Sequence, residues 1–199
     1  MTPGDYRRLA YGGFMLLALA VFLLARRVLP QQPGLSALPW RKRLGLLLAA
    51  FIGGSLGGKL PFAASAFAAW LSGSPPLDGR AMAAEFIMAW LSDGKTIVCG
   101  IIGAYLAVEL AKRLLGVQVK TGDSFAVPLA LALAVGRWGC FCYGCCYGVE
   151  TTLPWGVWFQ VPGPDSSPVW MKCHPTQIYE SMFHFTLAIV LIWLTLRNL

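Results

Sequence analysis

Long apolar runs alternate along the chain with short stretches that are rich in charged residues, glycine and proline. A membrane-spanning helix needs about 20 mostly apolar residues, which is the length scale of these runs. The pattern therefore predicts an all-α fold, a polytopic helical membrane bundle of about five transmembrane helices. We place these helices at about Leu9–Leu24, Leu44–Leu71, Thr96–Leu115, Phe125–Tyr143 and Pro175–Leu196.

Two further stretches are predicted to lie on the outer face of the membrane. The apolar run Ala81–Leu91 is too short to cross a bilayer, so we expect a short re-entrant or interfacial helix. The stretch Glu150–Cys173 is expected to be an outer loop. Its Trp155, Trp158 and Trp170 are typical of the aromatic residues that anchor a protein at a membrane interface.

The basic residues predict the orientation of the bundle. The stretch Arg26–Arg43 holds five basic residues and no acidic one, and Lys112, Arg113 and Lys120 mark the end of the third run. Because cytoplasmic loops are enriched in Lys and Arg, we predict an outer N-terminus and a cytoplasmic C-terminus. Glu109 lies one helical turn before Lys112 and is predicted to form a local ion pair.

The composition narrows the class of protein. The chain has 199 residues, of which 57% are hydrophobic and 13% charged, and its mean hydropathy is +0.62. These values are unusual for a soluble domain, and we predict a single integral membrane domain over residues 1–199. The net charge of +7 does not indicate nucleic-acid binding, because the basic residues flank the apolar runs. We expect the first run to be a retained helix rather than a cleaved signal peptide.

Two ionisable residues accompany long apolar runs in the C-terminal half. An ionisable group at membrane depth costs about 2.5–3.5 kcal/mol on insertion scales, so Arg137 and Glu180 are candidate functional residues. They are expected to pair near the outer leaflet, either as a functional site or as a structural link between two helices. The spacing places Gln177, Ser181 and His184 on the same helix face as Glu180.

Small residues suggest close helix packing. Gly136, Cys140, Gly144 and Gly148 recur at every fourth position, which lets another helix approach closely. Packing does not account for Arg137, because a close helix contact needs no cation. In the glycine-rich second run, Lys59 either faces a cavity or extends toward the interface.

The cysteines leave several interpretations open. All six are expected in the outer half of the bundle or outside it, and four follow the spacing C-x-C-x2-C-C. That spacing does not match a zinc-ligand pattern, so we predict no metal site. Packing, disulfide formation and thiol chemistry all remain open for these residues. The six are Cys99, Cys140, Cys142, Cys145, Cys146 and Cys173.

Two motifs in the motif-bearing core, residues 95–199, carry a family resemblance. Gly136–Gly148 reads G-R-W-G-C-F-C-Y-G-C-C-Y-G, and His174–Glu180 reads H-P-T-Q-I-Y-E. They resemble the signatures G-R-x-G-N-F-x-N-G-E-x-x-G and R-H-P-S-Q-L-Y-E of the bacterial prolipoprotein diacylglyceryl transferase family. Pro154–Phe159 also looks like the short aromatic strand that this family has between its two motifs. The resemblance implies a helical membrane bundle with an outer N-terminus and a cytoplasmic C-terminus.

Several positions depart from the family pattern. Cys140 stands where the family has Asn, Cys145 where it has Glu, and Cys173 where it has Arg. The segment Val98–Gly103 reads V-C-G-I-I-G, whereas the family has a His-Gly-Gly-Leu-Ile-Gly segment. The His and one of the two arginines of the family are therefore absent here.

The resemblance implies a phospholipid-dependent transferase in the bacterial cytoplasmic (inner) membrane. Its donor would be a phosphatidylglycerol-like phospholipid, and its acceptor a lipid or a protein thiol, with no cofactor, no metal and no nucleic-acid partner. Two alternatives remain, a thiol-redox membrane protein and a non-catalytic lipid-binding or transport protein. The expected catalytic residues are Arg137, Glu180, His174, Gln177 and Tyr179. The expected substrate-binding residues are Gly136, Gly139, Cys140, Tyr143, Gly144, Cys145 and Lys59.

Overall fold

The computed structural model describes residues 3–29, 33–71, 96–163 and 167–197. The helices in this part of the chain are α1 (Pro3–Val28), α2 (Pro33–Ser36), α3 (Trp40–Leu71), α4 (Ile97–Leu115), α5 (Asp123–Tyr143) and α6 (Thr176–Arg197). Two strands, β1 (Val157–Pro162) and β2 (Pro168–Cys173), lie between α5 and α6. The predicted outer-face helix Ala81–Leu91 lies outside the described residues.

Four of the described helices are long and apolar enough to cross a membrane: Asp5–Val28, Trp40–Ser65, Asp123–Tyr143 and Thr176–Arg197. These results confirm the prediction of an all-α, multi-pass membrane protein. The fifth predicted span corresponds to the helix α4, which is not among these four. Its C-terminal part contains three charged residues, Glu109, Lys112 and Arg113, which make it less apolar. The predicted local ion pair is present there, with Lys112 Nζ 2.8 Å from Glu109 Oε1.

The described residues divide into two compact units, Pro33–Lys120 and the combination of Met1–Gln32 with Thr121–Leu199. In the first unit, α3 packs closely against α4 through glycines. A Cβ atom added to Gly57 would lie 2.9 Å from the Cα of Gly103, and one added to Gly103 would lie 2.8 Å from the Cα of Gly57. Only small residues permit this approach of two helix backbones.

Lys59 lies inside this first unit and is only 3% exposed. The α3 helix continues through Pro61, although proline removes one backbone donor. Nearby, the carbonyl of Gly58 accepts hydrogen bonds from the backbone N–H of Thr96 (3.0 Å) and from its hydroxyl (3.2 Å). These bonds hold the start of α4 beside the glycine-rich part of α3.

The second unit contains the helices α1, α5 and α6 and the two strands. Contacts at both ends show that α1 and α5 are antiparallel: the guanidinium of Arg26 lies 4.5 Å from the ring centre of Phe125, and the rings of Tyr11 and Tyr143 are 5.6 Å apart. The helices α5 and α6 are joined by the Ser181 hydroxyl, which donates to the Ala134 carbonyl at 2.8 Å. The start of α1, the end of α5 and the start of α6 therefore lie at one end of this unit.

An antiparallel hairpin occupies most of the segment that the sequence predicted to be an outer loop. β1 pairs with β2 from Val157 opposite Cys173 to Pro162 opposite Pro168. The family resemblance indicated a strand at Pro154–Phe159, and the observed strand starts and ends three residues later. Alternate residues of β1 are buried, and Phe159, Val161 and Cys173 form a small core with Phe141 and Tyr147. Side-chain packing against the end of α5 thus stabilises the hairpin.

Several expectations stay predictions, because the structure of the protein alone does not test them. They are the single-domain organisation, the outward orientation of the N-terminus, and the anchoring role of the exposed Trp155, Trp158 and Trp170.

Candidate functional site

The candidate site begins where α5 ends. Gly144 adopts a left-handed conformation (φ +84°), and its backbone N–H bonds to the carbonyls of Cys140 (3.0 Å) and Phe141 (3.1 Å). This is the geometry of a glycine that caps a helix C-terminus. Cys146 is also left-handed (φ +61°), which is uncommon for a residue with a side chain. The chain consequently folds back over the last turn of α5.

The start of α6 holds this turn in place. The side-chain amide of Gln177 donates to the carbonyl of Cys145, and the hydroxyl of Thr176 donates to the carbonyl of Cys146, both at 2.6 Å. The backbone N–H of Gly148 bonds to the carbonyl of His174 at 2.9 Å. The two sequence motifs therefore meet directly, as the expected pairing of Arg137 with Glu180 predicted.

Arg137 and Glu180 form an ion pair between α5 and α6, as predicted. The side chain of Arg137 is 15% exposed and that of Glu180 is 41% exposed, so the pair opens on its carboxylate side. The Nε atom of Arg137 is buried and has no hydrogen-bond acceptor within the described residues. A buried donor without a partner costs about 1–3 kcal/mol. The accessible part of the pair lies on the side of the Glu180 carboxylate.

His174 and Tyr179 form a second polar contact near the start of α6. The Nδ1 atom of His174 lies 3.1 Å from the hydroxyl of Tyr179, and the ring of Tyr179 is exposed. Both residues were expected to be catalytic. The structure pairs them with each other, and their catalytic role stays a prediction.

The turn after α5 brings three thiols together. The sulfurs of Cys140, Cys145 and Cys146 all lie within 4.8 Å of one another, and those of Cys145 and Cys146 are 3.6 Å apart. All three are free cysteines. The irregular spacing of the cysteines predicted no metal site, and it did not reveal this proximity, because the left-handed turn folds the chain back. Whether the cluster binds metal is untested, and the expectation of no metal site stays a prediction.

Cys146 was not among the predicted site residues, yet its surroundings differ from those of the other cysteines outside the helices. The pKa of Cys146 is lowered to about 5, and the largest cause is hydrogen bonding from the Cys140 thiol. Hydrogen bonding from Cys145 and the positive charge of Arg137 also lower this pKa, whereas burial raises it. Burial raises the pKa of Cys145, and it likewise raises the pKa of Cys173. Cys146 is therefore the thiol that is ionised most readily in this group.

Other predicted binding residues have a structural contact in this unit. Gly136 and Gly139 face α1, and a Cβ atom added to Gly139 would lie 3.0 Å from the Cβ of Phe14. Tyr143 is exposed and contacts the ring of Tyr11, a residue that the sequence analysis did not single out. These positions pack α5 against α1 at the site end of the unit. Lys59 belongs to the other compact unit. The roles of these residues in binding a substrate stay predictions.

Comparison with known proteins identifies the family. The family model described as "Prolipoprotein diacylglyceryl transferase" matches residues 6–198. A phosphatidylglycerol–prolipoprotein diacylglyceryl transferase of Clostridium tetani (strain Massachusetts / E88) is 42% identical over 108 residues, which are 54% of this chain and 43% of that protein. A relative of the same description from Clostridium perfringens (strain 13 / Type A) is 38% identical over 107 residues, 53% of this chain and 41% of the relative.

More distant relatives carry the same description. The one from Prochlorococcus marinus subsp. pastoris (strain CCMP1986 / NIES-2087 / MED4) is 32% identical over 110 residues, covering 54% of this chain and 37% of that protein. The matched region thus spans less than half the length of each of these curated relatives. No solved structure matches the chain. Because the family model matches nearly all of its residues, the chain belongs to the prolipoprotein diacylglyceryl transferase family.

Proposed function

We propose that this protein transfers a diacylglyceryl group from a phosphatidylglycerol-type phospholipid to a cysteine thiol of a lipoprotein precursor. The reaction would take place at the outer leaflet of the bacterial cytoplasmic membrane. The observation that carries the proposal is the Arg137–Glu180 ion pair, which is formed by the two family motifs at one end of the second unit. The names of the relatives support the substrate class.

The chemistry requires a group that stabilises the leaving phosphate. The acceptor sulfur attacks the glycerol carbon, a carbon–sulfur bond forms, and the carbon–oxygen bond to the phosphorylated headgroup breaks. Arg137 suits the leaving group because a guanidinium binds phosphate oxygens through a planar fork of donors. The side chain of Arg137 is partly exposed, at 15%, and the Glu180 side chain beside it is more open, which leaves a side from which a phosphate can approach.

The reaction also requires a group that accepts the proton of the incoming thiol. Glu180 is the best candidate, because its carboxylate is partly exposed and is held beside Arg137. In this arrangement the base and the phosphate-binding cation lie next to each other. His174 and Tyr179, paired at 3.1 Å, would line the approach to the site from the start of α6.

Gln177 has a positioning role in this proposal. Its amide holds the carbonyl of Cys145, the residue that replaces the Glu of the family signature. Cys140, Cys145 and Gly144 would then form the wall of the site on the α5 side. Lys59 remains a candidate for the second cation, although it belongs to the other unit.

Mass spectrometry of lipids and lipoproteins tests the proposed reaction. Cells that lack diacylglyceryl transfer would be compared with the same cells producing this protein. We expect a lipoprotein precursor to gain the mass of a diacylglyceryl group on its cysteine, and a phosphatidylglycerol-type lipid to be consumed. Glu180→Gln, which removes the candidate base, should reduce this modification. Glu109→Gln is the matched control for that variant, because it also removes one carboxylate from an ion pair of a helix residue. Unmodified lipoproteins together with a tightly bound phospholipid would instead indicate a lipid-binding protein.

A further inference from the structure

Cys140, Cys145 and Cys146 form a three-thiol cluster whose thiol groups have no chemical role in the proposed lipid transfer. Diacylglyceryl transfer to an external thiol needs no group of free thiols in the enzyme itself. Yet these sulfurs lie within 4.8 Å of one another, and the Arg137 guanidinium interacts with both Cys140 and Cys146. Cys142 lies two residues from Cys140 on α5, a spacing at which side chains do not share a helix face, and it is exposed.

Hydrogen bonds from side chains of α6 hold the backbone at Cys146 in place. Its left-handed backbone (φ +61°) is costly for a residue with a side chain, at about 1–3 kcal/mol. The hydroxyl of Thr176 fixes its carbonyl at 2.6 Å, and the amide of Gln177 fixes the preceding carbonyl. Two side chains of α6 thus keep Cys146 in a strained, exposed conformation beside two other thiols. Strain that the surroundings hold in place is a feature of reactive sites.

The chemical environment of Cys146 is that of a reactive cysteine. The thiolate is the nucleophile in thiol exchange, and a nearby cation together with neighbouring donors stabilises it. Cys146 is exposed, lies beside Arg137 and has a pKa lowered to about 5 by hydrogen bonds from Cys140 and Cys145 and by the charge of Arg137. The pKa of Cys145, by contrast, is raised by burial.

We propose that Cys146 and Cys140 form a thiol–disulfide exchange site that reduces small, accessible disulfides. The inference does not depend on lipid transfer. Cys146 is the attacking thiolate. Cys140 is the resolving thiol, because a disulfide between the sequence neighbours Cys145 and Cys146 would close a small, strained ring.

The electrons and atoms balance over two exchange steps. In the first step, the Cys146 thiolate attacks one sulfur of the substrate disulfide, the substrate S–S bond breaks, and one substrate thiolate leaves and takes a proton from water. In the second step, Cys140 loses its proton and attacks the sulfur of Cys146, which releases the second substrate thiol. The substrate is reduced by two electrons, and the two cysteines are oxidised to a disulfide. A dithiol reductant regenerates them.

Oxidised glutathione is a suitable probe. The purified full chain would be reduced with dithiothreitol, desalted and exposed to one equivalent of oxidised glutathione before mass spectrometry. We expect release of both glutathione halves and a disulfide linking Cys140 to Cys146. In the Cys140→Ser/Cys145→Ser variant we expect glutathione to stay attached to Cys146. Cys142→Ser is the matched control and should behave like the parent.

The unmutated protein provides a test that does not depend on how variants fold. At pH 6, alkylation of Cys146 should be at least about tenfold faster than alkylation of Cys142, because only an acidic thiol is ionised at that pH. Peptide mapping measures both rates in one sample. Equal rates, a first adduct on Cys142, or a stoichiometric bound metal that leaves the three thiols unreactive would each overturn the proposal.

Discussion

The side-chain amide of Gln177 donates a 2.6 Å hydrogen bond to the backbone carbonyl of Cys145. Gln177 is among the most deeply buried residues of the described chain, at 1% exposure. This contact is one of those that join the second family motif to the first, and it holds the backbone of Cys145, a member of the three-thiol cluster. The position of the thiols therefore depends in part on this hydrogen bond, and the predicted catalytic role of Gln177 stays a prediction.

Removing this bond should destabilise the protein. Gln177→Ala leaves the Cys145 carbonyl without its donor in a buried position, which costs about 1–3 kcal/mol. Gln160→Ala is a matched control, because the Gln160 side chain accepts its 3.1 Å hydrogen bond from Arg7 at an exposed position. We expect the control to change the free energy of unfolding by less than about 0.5 kcal/mol. Chemical denaturation of both variants in detergent measures the difference, and equal stabilities would contradict this account.

The α3–α4 contact provides a second stability prediction. Gly103→Ala places a Cβ atom 2.8 Å from the Cα of Gly57, so the two helices must separate. Overpacking of this kind costs about 1–3 kcal/mol. At Gly12, by contrast, an added Cβ meets nothing within 4 Å, so Gly12→Ala should be tolerated. Thermal unfolding of the two alanine variants compares the sites directly, and a Gly103→Ala protein as stable as Gly12→Ala would show that the contact is not close.

The predicted topology can be tested by accessibility labelling. Single cysteines placed at Arg41 and at Arg197, in a chain whose own cysteines are replaced by serine, should react with a membrane-impermeant reagent only after the cells are opened. The reason is the excess of basic residues in Arg26–Arg43, which favours the cytoplasmic side. Labelling of either position in intact cells would overturn the orientation.

The sequence predicted the two ion pairs, because one has a local cause and the other avoids a large free-energy cost. The free-energy cost of an ionisable residue in an apolar run predicted the pairing of Arg137 with Glu180. The spacing of one helical turn predicted the pairing of Glu109 with Lys112. The pairing of α3 with α4 through glycines was not predicted. Glycine shows that a partner approaches closely but does not identify the partner.

The cysteine cluster could not be predicted from the spacing of its members. On a straight helix, Cys145 and Cys146 would extend away from Cys140. The left-handed conformations of Gly144 and Cys146 reverse the chain, and contacts from Thr176 and Gln177, about thirty residues later, hold that reversal. The hairpin was predicted only in part for a similar reason. Its strands are stabilised by the packing of Phe159 against aromatic rings that lie elsewhere in the sequence.

Glu180 can be examined separately from Arg137. Glu180→Gln keeps the shape of the side chain but removes the anion and the candidate base, so the transfer rate should fall at all pH values. The measurement is diacylglyceryl transfer by membranes that contain equal amounts of folded protein, with Glu109→Gln as the control variant. A Glu180→Gln protein with the parent's rate would assign Glu180 a structural role only.

The central claim is that Arg137 binds the phosphate of the donor phospholipid, and its most direct test is the transfer rate of Arg137→Lys. Lysine keeps the charge but loses the planar fork and the Nε donor, which should remove about 1.5–3 kcal/mol of binding to the leaving group, or about ten- to a hundredfold in rate. Arg113→Lys, on α4 in the other unit, is the matched control and should keep the parent's rate. The account predicts a folded, membrane-inserted Arg137→Lys protein with that loss, whereas full activity in this variant would contradict it.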